Sequence, residues 1–253
     1  MSKKNLNKKL NHLFRDLKIK KNDNILVHSN IAGLSQFYDK DIRKACDLFI
    51  TCLKKNIGKK GAIIIPTYNY KFTKKKHFDI KRSLSEVGLL GNFFLKKNWK
   101  KRTLDPIFSH LVFGKINNFN KDTINTNAFG KKSIFSHLYR ENFKILCFCC
   151  SSDRITYIHY LEYIFKVPYR FEKKFTGDFI QNKRRIKITY IYNVGKKNHI
   201  YRLKETKINQ LINKKDFLSS NFGKFQCFSV SSNYLYSQLK KKLRSKKNFL
   251  ISK

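Results

Sequence analysis

The sequence predicts a three-layer α/β/α fold with a mainly parallel central sheet and a C-terminal antiparallel excursion. Segments of helical periodicity alternate with short apolar runs along most of the chain, the pattern of βαβ units. One of those runs, Ala62-Ile-Ile-Ile65, is apolar at every position, as a strand covered on both faces must be. After Pro168 the texture changes to β-formers interleaved with Lys and Asn.

Taken in order, Leu6, Leu10, Leu13, Phe14 and Leu17 recur at three- and four-residue spacing and predict an amphipathic helix. A short strand, Asn24 to His28, follows a polar turn, and Ile42, Ala45, Leu48, Phe49 and Leu53 then carry a second helix over Asp41 to Asn56. Beyond the apolar strand, helices are expected at Glu86 to Lys97 and Lys132 to Glu141, with strands at Ser109 to Phe113 and Ile145 to Cys150. A helix from Ile155 to Phe165 is expected to be capped by Ser152 or Asp153. Residues Asp178 to Arg202 form the antiparallel excursion, and helices near Leu203 to Asn213 and Ser232 to Arg244 complete the chain. No Pro/Gly/Ser-rich stretch divides the 253 residues, so 1–253 is read as a single domain.

Composition sets two competing readings of charge. A formal net charge of +40 points to a polyanion such as nucleic acid or an anionic membrane. Yet only 11 of the 56 basic residues are Arg, and the Lys residues are scattered as pairs and triplets over the loops, with no single basic helix or stripe. The second pattern favours a solvated surface, and no specific nucleic-acid partner is expected. The first 21 residues lack the apolar core of a signal peptide, and no run is long enough to span a membrane, so a cytoplasmic location is expected. The six Cys are then read as reduced, buried thiols, and their spacing lacks the C-x-x-C pairs of a zinc site, so no metal is expected.

Ligands in folds of this class collect at the carboxyl ends of parallel strands, here the loops starting at His28, Pro66 and Ser151. His28 and Ser29 end the first strand, and Thr67 stands in the equivalent place after Ala62 to Pro66. A phosphate site and a plain polar loop both fit such residues. His159 and Glu162 lie three apart on a helix and share a face, so the carboxylate can orient the imidazole. By spacing alone a surface ion pair fits as well. There is no G-x-G-x-x-G, no G-x-x-x-x-G-K-[ST] and no G-x-S-x-G, which counts against hydride transfer, NTP hydrolysis and α/β-hydrolase chemistry.

The order of segments resembles the aminoglycoside 3-N-acetyltransferase family. Asp23 to Ser29 is similar to its "GD" turn and strand ending in H-S-S, with Asn22 and Asn30 replacing the Gly and second Ser. Gly61 to Tyr68 resembles its G-T-[LIV]-[LIV]-[LIVM]-P-T-[YF], Arg102 to Ser109 its R-S-x-x-P-x-H-S, and Phe129 to Ser133 its F-G-x-x-S. Thr156 to Glu162 is similar to its T-x-x-H-x-x-E, and Phe228 to Leu250 to its C-terminus.

This resemblance implies acetyl-CoA as donor and direct N-acetylation with His159 as base, Glu162 as its orienter and Thr67 near the thioester. It also implies His28, Ser29, Phe129, Gly130 and Ser133 on the CoA side. Phe108 stands where the family often has His, and His110 two positions on is expected on the opposite register of the strand. That departure, with the shortage of acids (16 Asp and Glu), favours a neutral or anionic amino-sugar acceptor of carbohydrate or surface-glycan biosynthesis. An aminoglycoside acceptor, with a role in antibiotic resistance, is the alternative. A basic nucleic-acid-binding protein and an inactive family member are the remaining rivals.

Overall fold

The computed structural model describes residues 3–38, 41–196, 203–211 and 217–251. The ends of two expected segments, at 197–202 and 212–213, lie outside these.

The first amphipathic segment folds as α1 (Lys3–Asp16), burying Leu6, Leu10, Leu13 and Phe14. Strand β1 (Ile25–Ser29) and the short α2 (Ala32–Ser35) follow. Helix α3 (Ile42–Ile57) starts where Asp41 accepts hydrogen bonds from the backbone N–H groups of Arg43 and Lys44, satisfying two donors that the first turn leaves free. Then come β2 (Ile63–Pro66), α4 (Phe72–Lys75), β3 (His77–Asp79), α5 (Leu89–Asn98) and β4 (His110–Phe113). The remainder is α6 (Ile134–Arg140), β5 (Lys144–Phe148), α7 (Tyr157–Ile164), β6 (Arg170–Gln181), β7 (Arg184–Gly195), α8 (Glu205–Asn209), β8 (Phe217–Phe222), β9 (Phe225–Ser231) and α9 (Ser232–Ser245).

The central sheet has the order β4-β2-β1-β5-β9-β8. Its middle strands β2, β1 and β5 run parallel, while β4 pairs antiparallel with β2 and the β8–β9 hairpin extends β5 antiparallel on the other side. The β8–β9 hairpin is absent from the sequence reading, which has only the run Phe228 to Val230 there.

Side chains alternate across this sheet and both sets are apolar. Ile25, Val27, Ile63, Ile65, Leu146 and Phe148 face a layer built on α1, α3 and α5. Leu26, Ile64, Ile145, Cys147, Phe228 and Val230 face the layer of α6, α7 and α9. Two covered faces are why these strands read as continuous apolar runs.

The excursion begins earlier than its alternation suggests. Strands β6 and β7 pair over their full length, from Arg170↔Gly195 to Gln181↔Arg184, and β3 joins them parallel through His77↔Asp178 to make a separate three-stranded sheet. The two-residue loop Asn182-Lys183 has positive φ at both positions (50° and 65°), as the twist of a tight hairpin requires. The first residue of the hairpin, Arg170, follows α7 after a short turn and lies against that helix.

Candidate functional site

The carboxyl ends of β1, β2 and β5 border a cleft of about 750 Å³. Its lining includes His28 and Ser29 from β1, Pro66 and Tyr68 from the end of β2, and Cys149, Cys150 and Ser151 from the end of β5. Residues Glu86 to Gly91 form one wall, and Arg154, Thr156 and His159 the other. Two glycines shape the first wall. A Cβ at Gly91 would lie 2.5 Å from the Pro66 carbonyl oxygen, so only Gly lets α5 dock against the end of β2. Gly88 has φ +65°, and a Cβ there would meet only the Ser29 carbonyl, 3.7 Å away. Gly88 thus approaches the Ser29 carbonyl closely at the edge of the cleft.

His159 and Glu162 are brought together as their spacing predicts. His159 Nδ1 lies 2.6 Å from Glu162 Oε2. Tyr169 donates to Glu162 Oε1 at 2.8 Å, and Arg170 Nε lies 2.6 Å from Oε2. The Glu162 side chain is 0 % exposed while that of His159 is 24 % exposed, so the imidazole alone reaches the cleft. With Nδ1–H donating to the charged carboxylate, Nε2 is left with its lone pair.

Burial disfavours the Glu162 carboxylate, but His159, Arg170 and Tyr169 together outweigh it and hold the group below its usual range. Burial, then the Arg170 charge, push His159 below the ordinary imidazole value, and Glu162 only partly opposes them. The product is a neutral imidazole against a charged carboxylate.

His28 and Ser29 line the cleft as expected. His28 is held down to about 4 by burial, and its Nε2 is a buried polar atom without a partner among the described residues. Thr67 is placed differently: it is 0 % exposed, with its hydroxyl 3.0 Å from Ser109 Oγ, so it locks β2 to β4 and does not border the cleft. Tyr68 takes that place, its hydroxyl 3.0 Å from His110 Nε2.

Phe129, Gly130 and Ser133 also lie away from this cleft. Phe129 packs its ring against Phe108 and Phe135 at 5.5 and 5.3 Å, and Ser133 caps α6 by accepting from Ser136 N–H. The F-G-x-x-S run is a helix-starting turn here. Nor do Phe108 and His110 fall on opposite registers, since both rings stack against Tyr68 and Phe135. At α7 the N-cap position falls to Thr156, whose side chain makes no capping bond, while Ser152 donates to Asn209 and Asp153 accepts from Ser151.

Sequence reasoning missed Tyr169 and Arg170, and it gave Arg102, though part of a matched motif, no role. Arg102 is 1 % exposed and spends its guanidinium on Ser109 Oγ and the Thr67, Ile80 and Ser83 carbonyls, over the ring of Phe78. Through the Thr67 carbonyl it braces the end of β2, which borders the cleft. Arg102 opens the R-S-x-x-P-x-H-S segment, whereas only the Val167-Pro168-Tyr169-Arg170 break after the helix marks the place of the other two.

The thiols Cys149 and Cys150 border the cleft too, with Cys149 at φ 54°. Cys149 Sγ lies 3.6 Å from Cys227 Sγ, and that contact, then burial, push its thiol up. A protonated thiol is a poor nucleophile. Among the described residues no group of three or more His, Cys, Asp or Glu gathers as a metal site would need, and no helix is long and apolar enough to cross a membrane.

The lining also differs from the chain in charge. No Lys borders the cleft among the described residues, and its formally charged side chains are Glu86, Asp153 and Arg154. The chain-wide surplus of cations therefore stops at its mouth, which removes the premise for expecting a neutral or anionic acceptor.

Fold and site together define an α/β enzyme with a His–Glu pair opening on a cleft at the ends of parallel strands. The profile of the aminoglycoside 3-N-acetyltransferase family matches residues 26–244, and the chain belongs to that family, whose members are acyltransferases. Solved structures share its fold. "AAC-IIIb binary with CoASH" is 15 % identical, covering 93 % of this chain and 96 % of that one, with a TM-score of 0.76. Aminoglycoside acetyltransferase AAC(3)-IIb is 15 % identical over 95 % and 97 % of the two chains, also at 0.76. YokD protein from Bacillus subtilis is 15 % identical over 96 % and 94 %, at 0.73. A comparison with curated proteins gives no match.

Proposed function

We propose that residues 1–253 act as one acetyltransferase domain that moves the acetyl group of acetyl-CoA to an amine of an aminoglycoside, with His159 as general base. When bound, acetyl-CoA supplies the activated acyl group. The unpartnered His28 Nε2 at the end of β1 is the feature of this chain that suits it.

The observation that carries the reading is the neutral His159 Nε2 at a cleft free of Lys. An alkylammonium is no nucleophile, so an amine must lose a proton before it attacks. An imidazole with Nδ1–H fixed on Glu162 presents its lone pair for that proton, and the resulting imidazolium is stabilised by the carboxylate 2.6 Å away. Glu86 and Asp153 supply negative charge for a polycationic acceptor, and Lys repulsion is screened beyond ~8 Å at physiological salt.

The test is steady-state kinetics with acetyl-CoA and either kanamycin-type aminoglycosides or nucleotide-linked amino sugars, at low and physiological salt. Preferential turnover of the aminoglycosides is expected. Turnover of the nucleotide-linked sugars alone would return the enzyme to glycan biosynthesis.

A further inference from the structure

The guanidinium of Arg170 touches both members of the His–Glu pair. Its Nε lies 2.6 Å from Glu162 Oε2 and its Nη2 2.9 Å from His159 Nδ1, while Nη1 donates to the Asn193 carbonyl on β7 at 3.3 Å. The side chain is 8 % exposed, so water screens it little. Because Nδ1–H is already given to Glu162, Arg170 Nη2 cannot share that hydrogen bond. It stands there as a fixed positive charge beside the ring.

We propose that Arg170 is a positioning residue for the transfer reaction, holding the Glu162 carboxylate in place from the β6–β7 hairpin and keeping the His159 imidazole unprotonated at neutral pH. The proposal rests on His159 being the base. Without Arg170, the buried carboxylate next to the ring would draw a proton onto His159, and the base would be occupied before it met an ammonium. With Arg170, the net charge around Nδ1 is balanced, and the imidazole charges only when it takes the acceptor's proton.

The groups around His159 are consistent with this division. Glu162 on its own helix favours the imidazolium and Arg170 on β6 opposes it. Tyr169 hydrogen-bonds the far oxygen of Glu162, and Tyr192 on β7 and Tyr70 beyond β2 feel the Arg170 charge but are themselves held protonated, burial being the first cause for both. Asp153 and Arg154 share the cleft with His159 and carry opposite charges.

The experiment follows the His159 imidazole by NMR titration in the wild type, Arg170→Lys and Arg170→Gln, beside pH profiles of kcat/KM with acetyl-CoA and kanamycin. In Arg170→Gln the His159 titration should rise by about one unit or more. Lys cannot span both contacts, so Arg170→Lys should lie between the two. The acid limb of kcat/KM should move the same way, with the loss of rate deepest at low pH. A merely structural role would lower the whole profile and leave the titration where it was.

An unshifted His159 titration in either folded variant overturns the proposal. Lys keeps the charge partnered with Glu162, so it decides the matter should the Gln form fail to fold. The titration needs no turnover, so failure of the acetyltransferase reading would show separately, as absent activity with the titration shift intact.

Discussion

Glu162 Oε2 sits 2.6 Å from His159 Nδ1 on the same face of α7, with the carboxylate wholly buried and the imidazole open to the cleft. In the proposed reaction the first side chain orients and the second takes the acceptor's proton. His159→Ala should therefore cut kcat by ~10²-fold or more with acetyl-CoA affinity nearly unchanged. Stopped-flow or steady-state kinetics beside acetyl-CoA titration separates the two effects, and wild-type turnover would falsify the assignment.

Four histidines are held neutral inside the protein, each chiefly by burial, His159 among them. His28 is brought down to about 4, His110, also beside His28, to about 3, and His137, also beside Arg140, to about 4. Unfolded, they take up protons near 6.5, so between that pH and about 4 the unfolded state binds more protons and stability falls as pH falls. The slope approaches ~1.4 kcal/mol per pH unit for each histidine. Glu162, with its depressed carboxyl, adds to the loss only at lower pH, from its unfolded value near 4.3 downward. Urea midpoints should drop steeply from pH 6.5 to 4.5, and His137→Gln should flatten that slope by about a quarter, one of four groups. Equal midpoints at both pH values would show that the histidines are not held neutral.

Arg102 is predicted to be irreplaceable by Lys. Its fork meets Ser109 Oγ and three carbonyls in different directions, a geometry that an ammonium on a thinner stem cannot reproduce. Arg102→Lys should cost about 2–4 kcal/mol in urea unfolding, the order of one or two lost charge-assisted bonds. A cost under about 0.5 kcal/mol would mean that the network does not bear on stability.

At the cleft wall, Gly91→Ala places a Cβ against the Pro66 carbonyl and must push α5 away from β2. A loss of about 1–3 kcal/mol is expected, with a raised KM for acetyl-CoA because the cleft wall at 86–91 is displaced. Thermal unfolding and KM measured on the same preparation check both, and an unchanged KM would detach this wall from the donor.

A covalent acetyl-cysteine route should be absent. Cys149 is held protonated by its contact with Cys227 and by burial, and Cys46 and Cys52 are pushed up by burial to about 12 and about 11. Intact-mass spectrometry after mixing with acetyl-CoA alone should show no acetylated Cys. An adduct that passes its acetyl group to an amine would replace direct transfer.

Much of this site was legible in the sequence because its signals are local. His159 and Glu162 share one helical face by spacing alone, and His28 ends a strand whose apolar run is self-evident. The three-layer fold could likewise be read, because strands covered on both sides have no polar face to display. Less could be read where side chains answer to distant partners. Thr67 looks like a loop hydroxyl until β4 pairs with β2 and offers Ser109, 42 residues on. Phe129 looks like part of a ligand turn until an aromatic cluster from α6, β7 and the turn before β4 closes over it.

Charge divides the same way. The sequence by itself determined the α/β layering, the His–Glu pair and the chain's +40 formal charge, because each follows from local periodicity or a count. Only the tertiary structure decided where that charge lies. Long Lys side chains are costly to bury and stay at the surface, whereas Arg170 and Arg102, whose planar guanidinium is weakly hydrated and fits several acceptors at once, are taken inside. The fold thus leaves a cleft bordered by no Lys among the described residues of a lysine-rich protein, and the turn that follows α7 folds Arg170, the first residue of β6, back against the His–Glu pair.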